Sequence, residues 1–127
     1  MMTKSHPLNS FKYAFEGVRY ALTSQRNLQI HVSVAVIVAI IGVWVRLKLV
    51  EWAIIALTIG LVIALELVNT ALETVIDLTS PNIHPLAKVC KDVGAAAVLV
   101  GAGTAVVVGF LILGPPLLRV FVFAIRP

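Results

Sequence analysis

Charge, cysteine and aromatic residues are all scarce in this chain of 127 residues. A single cysteine, Cys90, excludes an intrachain disulfide and a thiolate metal cluster. Charged residues make up 13% of the chain against 60% hydrophobic ones, and the mean hydropathy is +1.03. That balance excludes an ordinary soluble domain and indicates an integral membrane protein. No stripe of basic residues interleaves with the few aromatics, so the net charge of +4 points to membrane-surface anchors and phosphate contacts, with no nucleic-acid partner. The first thirty residues hold no apolar run of the signal-peptide kind, so no cleavable leader is expected. Internal repeats, a Gly-x-x-x-x-Gly-Lys-[Ser/Thr] loop and a protein-kinase signature are also missing.

What is present is long apolar stretches in a chain sized for one domain, 1–127. Pro7 argues against helix at the polar start. From Ser10 to about Gln25, Phe11, Phe15, Val18 and Leu22 recur at helical spacing, with Lys12, Glu16 and Arg19 elsewhere on the wheel. This predicts an amphipathic helix lying in the membrane interface within residues 1–28. Three spans follow, at 29–47, 50–78 and 93–114, and 115–127 forms an apolar tail after Pro115-Pro116. The fold class is therefore all-α: one interfacial helix and three transmembrane helices. Gly101, Ala105 and Gly109 repeat every four residues and allow another helix to approach closely. Lys4, Lys12, Arg19, Arg26, Lys88 and Lys91 fall on one side of the membrane, and Arg46, Lys48, Arg119 and Arg126 on the other. The bias favours a cytoplasmic N-terminus and a cytoplasmic 79–92 loop.

The chain is organised around Glu66-Leu-Val-Asn-Thr-Ala-Leu-Glu-Thr-Val-Ile-Asp-Leu78, which holds Glu66, Glu73 and Asp77 out of only six acidic residues. On a helix, Glu66, Asn69, Glu73 and Asp77 share an arc of roughly 80°. Charge is expensive in hydrocarbon, so a carboxylate stripe in an apolar segment is read as functional. If Trp52 anchors one interface, Glu66 sits just inside the membrane, and Glu73 and Asp77 lie at or beyond its edge. Near that edge the chain supplies what metal-assisted phosphoryl transfer needs. Glu73 is a hard oxygen ligand suited to Mg²⁺, Lys91 can offset phosphate charge, and Glu66 can accept a hydroxyl proton from a molecule in the bilayer. A lipid kinase is coherent with this, although spacing alone does not single it out.

The motif Glu66-Leu-Val-Asn-Thr-Ala-Leu-Glu73-x-x-x-Asp77, with Lys91-Asp-Val-Gly-Ala-Ala-Ala-Val98 after His84-Pro-Leu-Ala-Lys, resembles the prokaryotic diacylglycerol kinase / undecaprenol kinase family from about Phe11 to Gly109. The resemblance implies a homotrimer in the bacterial inner membrane, with active sites built between subunits. It implies transfer of the γ-phosphate of Mg-ATP to a lipid hydroxyl, that of diacylglycerol or of undecaprenol. Carried over position by position, Glu66 matches the catalytic base and Asn69 its polar partner. Glu73 matches a metal-binding carboxylate. Tyr13, Gln25, Glu73, Asn82, Ile83, His84, Lys91 and Asp92 fall at nucleotide-binding positions, and Glu66 and Ala95 at lipid-binding ones. Gln25 stands where the family has a second metal-binding glutamate, so it brings an amide oxygen without charge. His6 falls near a basic lipid-contacting position. Arg26-Asn-x-x-Ile-His31 and His84-Pro-Leu-Ala-Lys look more like the undecaprenol branch.

Plainer roles stand beside these. Asn69 suits an interhelical hydrogen bond, Asp77 a helix-end contact, His31 and His84 packing, and Tyr13 an interfacial belt. The rival function is a non-enzymatic oligomer that conducts ions or protons through Glu66. It leaves Glu73 and Lys91-Asp92 unexplained.

Overall fold

The computed structural model describes residues 7–80 and 84–125. Lys4, His6, Asn82, Ile83 and Arg126, singled out above, lie outside the described residues. All regular structure among the described residues is helical: α1 (Pro7–Ser24), α2 (Arg26–Trp44), α3 (Leu49–Thr79) and α4 (Pro85–Ile125). Helices α2, α3 and α4 are each long and apolar enough to cross a membrane, with mean hydropathies of 1.9, 2.1 and 2.5. The protein is thus an all-α membrane protein, with an amphipathic first helix whose Phe11 and Phe15 stay exposed.

Three boundaries differ from those expected. Pro7 to Asn9, expected outside helix, are already helical in α1. That helix closes at Ser24, short of residue 28, so Asn27 and Leu28 belong to α2. Helix α4 runs unbroken from Pro85 through Pro115-Pro116 to Ile125, joining the polar 86–92 segment, the third span and the tail. Two prolines remove two backbone donors there. Gly114 precedes them, and a residue without a Cβ is the one least restricted by a following proline ring.

Helix α3 packs chiefly on α4, α2 on α3, and α1 across α2 and α3. Close approach explains the α3–α4 pairing: a Cβ on Gly94 would meet Asn69 Oδ1, and one on Gly101 would lie 2.6 Å from Leu65 Cδ1. Gly109, the last of the four-residue repeat, meets no neighbour within 4 Å in this chain. The buried apolar residues are correspondingly few, among them Leu28, Ile55, Val62 and Val98, while Leu57, Leu99 and Phe110 face outward. Hydroxyls inside the helices return their hydrogen bonds to the preceding turn, as Thr58 Oγ1 does to the carbonyl of Ile54 and Thr104 Oγ1 to that of Val100.

The α2–α3 connection is a defined C-cap. The N–H of Leu47 donates to the carbonyl of Gly42 and that of Arg46 to Val43, with Arg46 at φ 57. These two bonds are the Schellman pattern, and Arg46 occupies the left-handed position that glycine usually takes. Leu47 and Trp52 close over Gly42, which a Cβ would bring within 3.0 Å of both. The Lys48 backbone N–H then donates to the Glu51 carboxylate and starts α3.

Candidate functional site

The acidic stripe of α3 faces inward over its middle turns. Glu66 is 2% exposed, and Asn69 and Thr70 are also buried, which makes them the buried polar residues among those described. Thr70 Oγ1 donates to the Glu66 carbonyl, which ties up the hydroxyl without engaging the carboxylate. One turn on, Asn69 Nδ2 donates to Glu73 Oε1 at 3.1 Å. Two buried oxygens have no hydrogen-bond partner: Glu66 Oε1 and Asn69 Oδ1. An unsatisfied buried acceptor costs about 1–3 kcal/mol, so two on one stripe mark a site held ready for something else.

These residues line a cleft of about 260 Å³ between three helices. Asn27 and His31 come from α2, Glu66, Asn69 and Glu73 from α3, and Ala95, Val98, Leu99 and Ala102 from α4. His31 Nε2 lies 3.3 Å from Glu66 Oε1, an ion-pair distance without the alignment of a hydrogen bond. A second cavity of about 320 Å³ continues along the same helices, with apolar walls that include Val34, Ile59 and Val106. His31 and Ala102 border both spaces. A buried carboxylate thus lines the polar cleft, beside the imidazole where that cleft meets the hydrocarbon-lined one. That junction suits a substrate with an alcohol head and an apolar body.

The other expected site residues lie elsewhere. Lys91 Nζ donates to Asp77 Oδ1, bracing the end of α3 against the start of α4. Lys88 pairs with Asp92 one turn along α4. His84 caps α4, its Nδ1 accepting the N–H of Leu86. Tyr13 is 60% exposed on α1, and Gln25 is the residue between α1 and α2. Of the expected set, the cleft gathers Glu66, Asn69, Glu73 and Ala95, whereas Tyr13, Gln25, His84, Lys91 and Asp92 are off its wall. Asn27 and His31 are on it, although the sequence reading gave neither a site role. Their signal was the Asn27-x-x-x-His31 spacing, which puts both on one face of α2.

Among the described residues, no three His, Cys, Asp or Glu side chains cluster to enclose a metal. Glu73 does line the cleft with a carboxylate, a hard oxygen ligand. That fits a small divalent cation of the Mg²⁺ kind, which binds through one or two carboxylates and keeps its waters and phosphate oxygens.

Residues 12–113 match the family described as prokaryotic diacylglycerol kinase. The chain is 48% identical over 116 residues to a diacylglycerol kinase of Synechocystis sp., covering 91% of this chain and 66% of that relative. It is 44% identical over 108 residues to the undecaprenol kinase of Bacillus subtilis, covering 85% and 88%. A diacylglycerol kinase of Escherichia coli is 26% identical over 101 residues, covering 80% and 83%.

Proposed function

The chain belongs to the prokaryotic diacylglycerol kinase family, and on that premise we propose that it is a lipid kinase of the bacterial inner membrane. It transfers the γ-phosphate of ATP to the hydroxyl of a membrane lipid, diacylglycerol or undecaprenol. The observation that carries this reading is the buried carboxylate of Glu66 on the polar cleft, 3.3 Å from the His31 imidazole that borders both that cleft and the apolar cavity. Helix geometry puts Glu66 about 21 Å along α3 from Trp52, inside a hydrocarbon core of about 30 Å but toward its far edge. A lipid hydroxyl near the headgroup level reaches that depth while its chains stay in the apolar space.

In the reaction, Glu66 takes the hydroxyl proton as the lipid oxygen attacks the γ-phosphorus, and the bond to the bridging β–γ oxygen breaks to release ADP. Glu73, steadied by Asn69, would hold Mg²⁺, which supplies charge neutralisation on the phosphates. Lys91, with Asp92 beside it, offsets the remaining phosphate charge, and Asp77 holds the ammonium in place until nucleotide arrives. Tyr13, Gln25 and the 82–84 segment complete the nucleotide contacts, with Gln25 a neutral contact to the metal–phosphate group.

Those nucleotide groups are not gathered at the Glu66 cleft of one chain, and much apolar helix surface is uncovered. Both features support a homotrimer with shared sites. The kinase names of the relatives, and the placement of Glu66 away from the bilayer midplane, disfavour the ion-conducting reading.

The test is phosphate transfer from γ-labelled ATP in mixed micelles with Mg²⁺, with diacylglycerol and undecaprenol offered separately. Glu66→Gln, which keeps the shape and removes the base, should lower turnover by about 10²–10⁴-fold. A folded wild-type protein that phosphorylates neither lipid would overturn the proposal.

A further inference from the structure

The mechanism leaves one buried contact unused: His31 against Glu66. The histidine comes from a different helix, its side chain is 24% exposed, and Nε2 is 3.3 Å from the carboxylate oxygen that has no hydrogen-bond partner. Leu28, three residues back on α2, is almost fully buried, so the helix face that carries His31 is fixed. No third His, Cys, Asp or Glu joins the pair among the described residues, which argues against a metal ligand. The imidazole also borders both the polar cleft and the apolar cavity, the place a lipid hydroxyl must pass.

We infer that His31 is a positioning residue for Glu66. Its Nε2–H engages Oε1 and so turns Oε2 toward the lipid hydroxyl. The alignment tightens when substrate excludes water, as that of catalytic hydrogen bonds commonly does. In this role His31 acts through Glu66 and not directly on nucleotide or the transferred phosphoryl group. Its effect falls on the rate of proton removal, not on the binding of either substrate. Any polar side chain of similar reach with an N–H donor should serve in part, and an apolar one of the same size should not.

This inference rests on the lipid-kinase reading, and the experiment separates the two. Full-length wild type, His31→Gln, His31→Met and His31→Ala are assayed in the same micelles for both kcat and KM. Turnover by the wild type is the control for the reading itself. The expected result is a loss of kcat in His31→Met and His31→Ala of about 10²-fold, with KM for ATP and lipid changed by less than about twofold. His31→Gln should keep at least about a tenth of wild-type kcat, because its amide N–H can reach Oε1. Added imidazole, small enough for the cleft, should raise His31→Ala by about tenfold and leave Glu66→Gln unchanged. Active wild type with His31→Met within about twofold of it, or with Met and Gln variants equally impaired, would overturn the inference. The Met and Gln variants match in size, so a packing defect alone would lower both together.

Discussion

At Gly94 the space a side chain would need is occupied by the Asn69 amide: a Cβ there would clash with Oδ1 and come within 3.1 Å of Leu72 Cδ2. Asn69 in turn holds Glu73. A methyl group on α4 is therefore transmitted to the Glu73 carboxylate without touching it. Gly94→Ala should cut kcat by at least about tenfold while the protein still folds, because a misplacement near 1 Å can cost that much. Wild-type turnover in Gly94→Ala would show that Asn69 has another rotamer available at no cost. The Glu66–Asn69–Glu73 stripe was legible in the sequence because charge in an apolar helix is rare and its period is fixed. Asn27 and His31 were not, because their meaning comes from which face of α2 meets α3. No spacing within one segment contains that information. Nor did spacing predict the Lys91–Asp77 pair, whose members approach only because α3 and α4 fold back on each other.

Elements were more legible than their ends. Apolar length and helical period fixed the kind and number of helices, since a lipid-exposed backbone must satisfy itself internally. The ends depended on local chemistry that propensity misjudges. Residues from Pro7 onward are helical despite the proline, and α4 passes through Pro115 and Pro116. The α2–α3 cap gives a prediction at this scale. A left-handed Arg46 costs about 1–2 kcal/mol, and glycine avoids that cost while losing about 0.5–1 kcal/mol of chain entropy. Arg46→Gly should thus raise stability by about 0.5–1 kcal/mol, seen as a higher melting temperature in micelles with unchanged activity. A lower melting temperature would mean that the arginine head contributes more at the interface than its backbone costs. At the α3–α4 contact the sign reverses. Gly101→Ile puts a branched side chain where Leu65 already lies 2.6 Å from a Cβ, and should destabilise by about 1–3 kcal/mol. An unchanged melting temperature would show that the two helices separate without cost.

For the whole molecule, the candidate site is divided: Glu66, the proposed proton acceptor, and its cleft lie within one chain, but Lys91, the cation proposed to hold nucleotide, is not on that cleft. Mixing two inactive variants tests the division directly. Glu66→Gln and Lys91→Ala subunits, dissociated and reassembled together, should regain a clear fraction of wild-type activity if one subunit's Glu66 works with another's Lys91. Mixtures that stay at the level of the parents at every ratio would require both groups to act in the same chain. The turn at Val45–Lys48 has a different consequence, for biogenesis. So short a connection leaves α2 and α3 no route into the bilayer except together, as one hairpin. With the cytoplasmic N-terminus that the charge bias favours, its tip, with Arg46, Lys48 and Glu51, would be carried across the hydrocarbon to the far side before the helices are anchored. Translocation of that charged tip, more than the folding of any one helix, is the step at which newly made chains would stall.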